Sequence, residues 1–288
     1  MTKLCFTTTG AWDLADGFGC ASLGLAGVCD NSENRVVTKE IPAESRVLTG
    51  SYQTLLSDVK AVTEQQNVYA GIVLFGNAGG ENVFMEKLCK LLNCPLVGGG
   101  AAIDGATGRK GLITGGGEAA VLLFTDGNYH YSAETLCIHS NVLQICDVTT
   151  ADPRTVLTVD GVDAVTFLNE KRAELGLKNT DFEHLTLSDT DDVNAHLSCP
   201  DGQIKSGRDV KARMKLRYIP HEKVYNTMRD FYDDEDAIVF GCAGLSGLLD
   251  KPLDTKSLGL FLFGEVCTVG NRAEFGNLML SKLKISKK

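Results

Sequence analysis

The sequence lacks any long apolar run. Its longest apolar stretches, such as AAVLLF at residues 119–124, are far shorter than the roughly 20 residues that a helix needs to cross a bilayer. The first residues, MTKLCFTTTGAWD, contain one lysine but neither an extended apolar segment nor the cleavage site of a secretion signal. We therefore expect a cytoplasmic protein without membrane insertion.

Basic stretches are also absent, apart from the short lysine-rich tail at residues 281–288. The formal net charge is −9. Nucleic-acid-binding proteins usually present a basic face that neutralises phosphates, so we expect no nucleic-acid partner. The remaining composition, with 43% apolar and 23% charged residues, is that of an ordinary globular protein, and 288 residues suffice for two modest domains.

The ten cysteines contain no Cys-x-x-Cys pair, and none has a histidine at the spacing of a zinc site. Without a secretion signal, such cysteines are expected to be reduced thiols that pack as small hydrophobic residues. The sequence therefore predicts no structural metal and no cofactor.

Apolar periodicity indicates a mixed fold in which sheets are covered by helices. In the first half, strands are predicted at 20–29, 70–80, 95–100 and 118–127, and amphipathic helices at 53–66 and 81–93. In the second half, a strand, an Asp-Gly turn and a helix are predicted over 155–177, short strands over 179–216, a helix at 221–233, a buried strand from 236, and a final antiparallel pair that bends at Gly270–Asn271. The fold class is α/β with mixed α+β layers.

Two parts of the chain are similar to each other. IVLFGNAGG at 72–80 matches IVFGCAGLS at 238–246, and both segments follow a predicted helix. Three further positions recur at offsets of 165, 166 and 163 residues: Gly79 and Gly244, Gly98 and Gly264, and Arg109 and Arg272. A nearly constant offset predicts two related halves with mixed sheets.

These segments together resemble a known family. The succession GIVLFGNAGG, PLVGGGAAIDG and AAVLLF resembles the N-terminal part of the FIST domain. TVDGVDAVTFLNEKRAELGL, IVFGCAGLSGLL and LGLFLFGEVCTVGNRAEFGNLMLSKLKI resemble its C-terminal part in the same order, and the Gly-Glu and Gly-Asn-Leu ending is the most specific piece. The resemblance covers about residues 20–285 and implies an N-terminal-like domain at 1–150 and a C-terminal-like domain at 151–288.

The resemblance implies a stand-alone sensory protein of signal transduction. Such a protein binds a small ligand such as an amino acid and passes its signal to a separate output protein. The chain departs from the family at two positions: Gly276 stands where the family usually has histidine, and Leu245 stands where it has arginine. Both departures bear on the ligand preference.

Polar residues that follow strand ends form the candidate site. Glu265 ends a buried strand, where a carboxylate must be paired; it either receives the ammonium group of an amino-acid-like ligand or pairs with Arg272. Asn277 is expected to form hydrogen bonds with a polar tail of the ligand. Arg109 or Arg272 is expected to bind the carboxylate of the ligand. The ligand-binding candidates are Gly98, Gly99, Gly100, Asp104, Arg109, Cys242, Gly264, Glu265, Arg272 and Asn277.

Alternatives remain for several of these residues. The glycine-rich loops at 98–105 and 114–118 either present backbone N–H groups to an anion or form tight turns. Cys242 either packs beside the site or, like Cys267, serves a hydrolase as a nucleophile activated by a histidine. A scaffold protein is the third possibility. We expect the polar cluster to face a cleft between the two halves, with no catalytic residue and no metal.

Overall fold

The structure is a computed structural model that describes residues 2–7, 17–21, 24–25, 36–76, 79–101, 113–177, 184–270 and 272–288. Five helices are described: α1 (Tyr52–Gln65), α2 (Glu81–Leu91), α3 (Ala164–Glu174), α4 (His221–Tyr232) and α5 (Ala243–Ser246). The strands are β1 (Thr2–Thr7), β2 (Phe18–Ala21), β3 (Gly24–Leu25), β4 (Val36–Ile41), β5 (Ser45–Gly50), β6 (Ala70–Phe75), β7 (Leu96–Gly100), β8 (Ala119–Phe124), β9 (Tyr129–Cys137), β10 (Gln144–Asp152), β11 (Thr155–Val159), β12 (Val162–Asp163), β13 (Leu185–Ser188), β14 (Asn194–Ser198), β15 (Ile204–Ser206), β16 (Arg213–Tyr218), β17 (Ala237–Cys242), β18 (Leu258–Val269), β19 (Arg272–Gly276) and β20 (Met279–Lys287).

The predicted fold class is confirmed, because mixed sheets are combined with helices. The helices predicted at 53–66, 81–93 and 221–233 are α1, α2 and α4. Helix α1 begins after Ser51, whose side chain accepts a hydrogen bond from the backbone N–H of Thr54. Helix α2 buries an apolar face with Phe84 and Leu88, as its helical spacing predicts.

A ten-stranded sheet forms the centre of the molecule. Its strands follow the order β5-β8-β6-β7-β18-β17-β20-β9, and β3 and β19 pair with β18. Helices α1 and α2 cover one face of the first half through Leu55 and Phe84, and α4 covers the second half through Val224 and Met228. The three-stranded sheet β2-β1-β4 packs on the other face and contributes Phe6 and other apolar side chains.

The central sheet repeats one arrangement twice. In the first half, β6 is parallel to β7 and antiparallel to β8, which pairs with β5. In the second half, β17 is parallel to β18 and antiparallel to β20, which pairs with β9. Helices α1 and α2 precede and follow β6 as α4 and α5 precede and follow β17. The sheet therefore has two halves with the same strand arrangement, and β7 and β18 meet at its centre.

The register of the strands changes one predicted correspondence. In the matched segments Phe75 corresponds to Gly241; Phe75 pairs with Gly100, and Gly241 pairs with Phe261. Gly100 therefore corresponds to Phe261, and the predicted match of Gly98 with Gly264 is wrong. Glycine is frequent in this sequence, so a match of single glycines does not fix the register of a strand.

A second sheet is inserted between β9 and α4. Its seven strands follow the order β10-β16-β13-β14-β15-β11-β12, and it encloses its own apolar core with Leu168 of α3. The boundary predicted at residue 150 falls inside β10, and the central sheet takes strands from both sides of it. The division into two domains stays a prediction.

The C-terminal strands differ from the predicted antiparallel pair. After the turn at Gly270, β18 pairs with the short strand β19, whereas β20 pairs with β17 and β9. The chain reverses a second time at Asn277 and Leu278, where Leu278 has a left-handed φ of 54°. After this second reversal, β20 pairs with β17 and β9 and not with β18.

None of the helices in the described ranges is long and apolar enough to cross a membrane.

Candidate functional site

The parallel strands of both halves end at the centre of the large sheet. Strands β6 and β7 end at Phe75 and Gly100, and β17 ends at Cys242. On β18, Leu262 pairs with Cys242, and the next residue, Phe263, pairs with Gly100. The carboxyl ends of both parallel pairs therefore lie side by side, and such junctions are common ligand sites in α/β sheets.

A cavity of about 450 Å³ lies at this junction. We call it the central cavity. This volume is in the range of small-molecule sites. Its wall is formed by residues of both halves and of the inserted sheet: Phe75, Glu81, Gly100, Arg154, His196, Ser198, Ser206, Gly207, Cys242, Ala243, Gly244, Leu262, Phe263, Gly264, Phe275 and Asn277.

An ion pair joins the inserted sheet to the central sheet across this cavity. Arg154 lies in the turn between β10 and β11, and its Nη2 is 2.8 Å from Oε2 of Glu81, the first residue of α2. The Glu81 side chain is buried, and its Oε1 accepts a hydrogen bond from the backbone N–H of Gly79 at 2.9 Å. Nε of Arg154 also donates to Asp209 at 3.1 Å. The wall thus presents a carboxylate and a guanidinium in direct contact.

His196 and Asn277 connect the same two sheets. The backbone N–H of His196 donates to Oδ1 of Asn277 at 3.4 Å, and the backbone N–H of Asn277 donates to the carbonyl of Asn194 at 2.9 Å. Nε2 of His196 is buried without a hydrogen-bond partner among the described residues. Burial lowers the pKa of His196, so its imidazole is neutral at pH 7 and free to bond to a ligand.

The structure brings some of the predicted site residues together. Gly100, Cys242, Gly264 and Asn277 line the central cavity. Gly264 is the extra residue of a bulge between Phe263 and Glu265, with a left-handed φ of 72°, which a glycine adopts without strain. Among the other candidates, Asp104 and Arg109 lie outside the described residues.

Gly98 and Gly99 belong to β7 but not to the cavity wall. A Cβ on Gly98 would lie 1.9 Å from the carbonyl oxygen of Val73, and a Cβ on Gly99 would lie 2.3 Å from that of Gly264. These distances are far below van der Waals contact, so both glycines permit close strand packing. In the other predicted loop, the Glu118 carboxylate accepts a hydrogen bond from the N–H of Tyr52 at the start of α1.

Glu265 lies beside the central cavity without forming part of its wall. Its side chain is 0% exposed, and Oε2 accepts a hydrogen bond from the backbone N–H of Met279 at 3.3 Å. Oε1 makes no hydrogen bond within the described ranges. Burial raises the pKa of Glu265 well above its ordinary value, although the Met279 N–H and the Cys242 thiol oppose the shift. Burial therefore favours the protonated, neutral form of the carboxyl group.

The predicted pairing of Glu265 with Arg272 does not occur. In the β18–β19 ladder, Glu265 lies opposite Gly276, whereas Arg272 lies opposite Val269. Four residues of strand separate the two side chains, roughly 13 Å at about 3.3 Å per residue. Arg272 is exposed and lines a different cavity, between α2 and β19. Arg272 therefore does not bind a ligand carboxylate in the central cavity.

The chemistry of Cys242 is set by its burial. Burial raises the pKa of its thiol, and the nearby Glu265 raises it further, while the backbone N–H groups of Leu278, Gly244 and Gly264 oppose the shift. The thiol therefore stays protonated at pH 7, and a reactive cysteine normally has a lowered pKa. Cys267 is fully buried and does not line the cavity.

Sequence reasoning missed three of the ionisable residues in the cavity wall, Glu81, Arg154 and His196. Glu81 directly follows the glycine turn after β6, and its position after a strand end was the available signal. Arg154 lies in a tight turn, where a charged residue is ordinary. His196 lies on a strand of the inserted sheet, and only the tertiary packing brings it to Cys242 and Asn277.

Comparison of the chain with models of known protein families gives no match. No curated protein is significantly similar to it either. The resemblance to the FIST domain therefore stays a prediction.

Proposed function

We propose that this protein is a sensor that binds a small amino-acid-like ligand in the central cavity. The observation that supports this function is the contact between Glu81 and Arg154 in the wall of a cavity of ligand size. A carboxylate and a guanidinium side by side are complementary to the ammonium and carboxylate groups of an α-amino acid. Glu81 and Arg154 thus take the two roles, binding of the ammonium group and of the carboxylate, that the sequence predicted for Glu265 and Arg272.

The rest of the wall suits the remainder of such a ligand. Phe75, Leu262 and Phe275 are apolar, and Phe263 is 46% exposed although it is a large aromatic residue. An apolar ligand side chain that covered Phe263 would remove this surface from water. His196 Nε2, which is unpaired among the described residues, is available for one polar group of the ligand.

Sensing follows from the position of the cavity between two sheets. The ligand would contact Glu81, at the start of helix α2 on the central sheet, and Arg154, in a turn of the inserted sheet, at the same time. A ligand that bridges the central sheet and the inserted sheet binds best to one relative arrangement of these two sheets. Binding therefore shifts the population of protein molecules toward that arrangement. The output is then a change in the surface that the inserted sheet offers to a separate signalling protein.

We expect a subset of amino acids to stabilise the purified protein in a thermal-shift screen. A ligand at about 100 times its Kd adds roughly 2.7 kcal/mol to the free energy of unfolding, which gives a measurable rise in Tm. The panel contains the standard amino acids, their amides and their N-acetyl derivatives. The derivatives should fail to stabilise the protein, because the amides lack the carboxylate and the N-acetyl amino acids lack the ammonium group.

Glu81→Gln should abolish most of the ligand-induced rise in Tm, since the ammonium group loses its carboxylate partner. Glu81 also pairs with Arg154, so the variant is compared with its own ligand-free Tm. Glu64→Gln, in the exposed part of α1, is the matched control and should respond as the wild type does. An unchanged response of Glu81→Gln would contradict the proposed recognition.

A thiol-dependent hydrolase is the second candidate, because Cys242 and His196 line the same cavity. The raised pKa of the Cys242 thiol argues against it. We expect iodoacetamide to label Cys242 slowly at pH 7 and faster as the pH rises, followed by peptide mass spectrometry. Rapid labelling at pH 7, together with ester turnover that Cys242→Ser abolishes, would favour the hydrolase instead.

A further inference from the structure

A second cavity, of about 340 Å³, lies between α2, β19 and the segment 208–211 of the inserted sheet. We call it the lateral cavity. Its wall includes three cationic side chains, those of Arg208, Lys211 and Arg272. Phe275 lines both cavities. These cations have no part in the proposed sensing of amino acids.

Two residues of this wall each carry a buried N–H donor that has no acceptor in the described part of the chain. The Arg208 side chain is only 5% exposed; its Nη1 lies 3.4 Å from Asp189 and its Nη2 lies 3.2 Å from Glu274, but its Nε is unpaired. Nδ2 of Asn82, on α2, is also buried and unpaired. Leaving a buried donor unpaired costs free energy, so the wall favours a ligand that carries acceptor oxygens.

Arg272 adds an available positive charge to the same wall. It is exposed, and within the described ranges no carboxylate pairs with it. The carboxylates of the wall are already engaged: Asp209 contacts Arg154 at 3.1 Å, Glu274 contacts Arg208, and Glu86 contacts Lys90 at 2.8 Å. The guanidinium of Arg272 is therefore the group that an anion entering the cavity would meet unpaired.

We propose that the lateral cavity binds a small oxyanion, either free phosphate or the phosphoryl group of a small molecule. The planar guanidinium of Arg272 holds two of its oxygens. Asn82 Nδ2 and Arg208 Nε donate to the oxygens that reach deeper into the cavity. Lys211, whose Nζ is 2.8 Å from Asp189, adds positive potential at the rim.

The experiment titrates the full-length protein with inorganic phosphate in a calorimeter, at constant ionic strength maintained with sodium chloride. Parallel titrations use sulfate and glycerol 1-phosphate. We expect saturable phosphate binding that Arg272→Ala weakens at least tenfold and Asn82→Ala weakens several-fold. Tighter binding of glycerol 1-phosphate would identify a phosphorylated small molecule as the ligand, and equal binding of sulfate would identify an oxyanion site; either result supports the proposal.

Arg46→Ala is the matched control, because Arg46 is an exposed arginine on the edge strand β5. It should bind phosphate as the wild type does. The proposal is overturned if the wild type shows no saturable binding, or if Arg272→Ala binds phosphate as tightly as Arg46→Ala. Arg272→Ala should keep its response to amino acids, so failure of this site and failure of the central cavity give different results.

Discussion

Replacing Glu265 with glutamine is expected to remove a pH-dependent loss of stability, so that the variant gains in stability relative to the wild type as the pH rises above 4.5. The Glu265 carboxyl is fully buried, and burial raises its pKa well above the ordinary value of 4.5. Between these two pKa values the folded state keeps a proton that the unfolded state releases. The contribution of Glu265 to the free energy of unfolding is therefore fully present below pH 4.5. It decreases as the pH rises toward the pKa of the folded state.

The magnitude of this effect follows from the linkage between proton binding and folding. Each pH unit in this window costs the wild type about 1.4 kcal/mol of unfolding free energy. Glutamine cannot ionise, so the difference between variant and wild type should increase by that amount per pH unit. Urea unfolding at intervals of one pH unit from pH 5 upward measures it and locates the upper end of the window, and the fully buried site makes it one of the largest effects expected in this protein.

Glu170→Gln provides the control for that series, because Glu170 is exposed on α3. Its difference from the wild type should stay within about 0.5 kcal/mol, as for most surface substitutions. A Glu265→Gln difference that does not change with pH would mean that the folded protein holds Glu265 ionised. The variant should also keep its response to amino acids, since Glu265 does not line the central cavity.

The behaviour of Glu265 illustrates what the sequence could predict. The predicted burial of Glu265 is confirmed, but the residue does not end its strand, because β18 continues to Val269. Its partners could not be read from the sequence, because they depend on strand register. A glycine bulge at Gly264 and a second reversal at Leu278 place Met279 and Cys242 beside it, and they leave Arg272 four residues away along the ladder.

The fold was easier to predict than the site because periodic burial leaves a local signal. Helices α1, α2 and α4 and the buried strands β6, β8 and β17 lie within two or three residues of the predicted boundaries or starts. In the inserted sheet only the presence of strands over 155–177 and 179–216 was predicted, and their order was not, since it is set by non-local pairing. Arg154 and His196 reach the central cavity only through that sheet, so sequence reasoning could not place them there.

Gly98→Ala is expected to destabilise the protein by about 4 kcal/mol or more, or to prevent folding altogether. A Cβ on this residue would lie 1.9 Å from the carbonyl oxygen of Val73 in β6, and the backbone has a φ of +137° that other residues rarely adopt. Since Gly98 also pairs with Val266 of β18, the strand cannot move without disturbing the junction of the two halves. Urea unfolding followed by circular dichroism measures the loss.

Gly202→Ala is the matched control for this substitution. Gly202 has a left-handed φ of +72°, but a Cβ on this residue would have no neighbouring atom within 4 Å, so the cost should be only about 1 kcal/mol. The two variants separate backbone conformation from close packing. If Gly98→Ala folded normally and lost only its response to ligands, the glycine would serve ligand approach, as the loop pattern at 98–105 first indicated. Loss of folding instead assigns Gly98 to the contact between β6 and β7, and leaves Gly100 as the glycine of this strand that borders the central cavity.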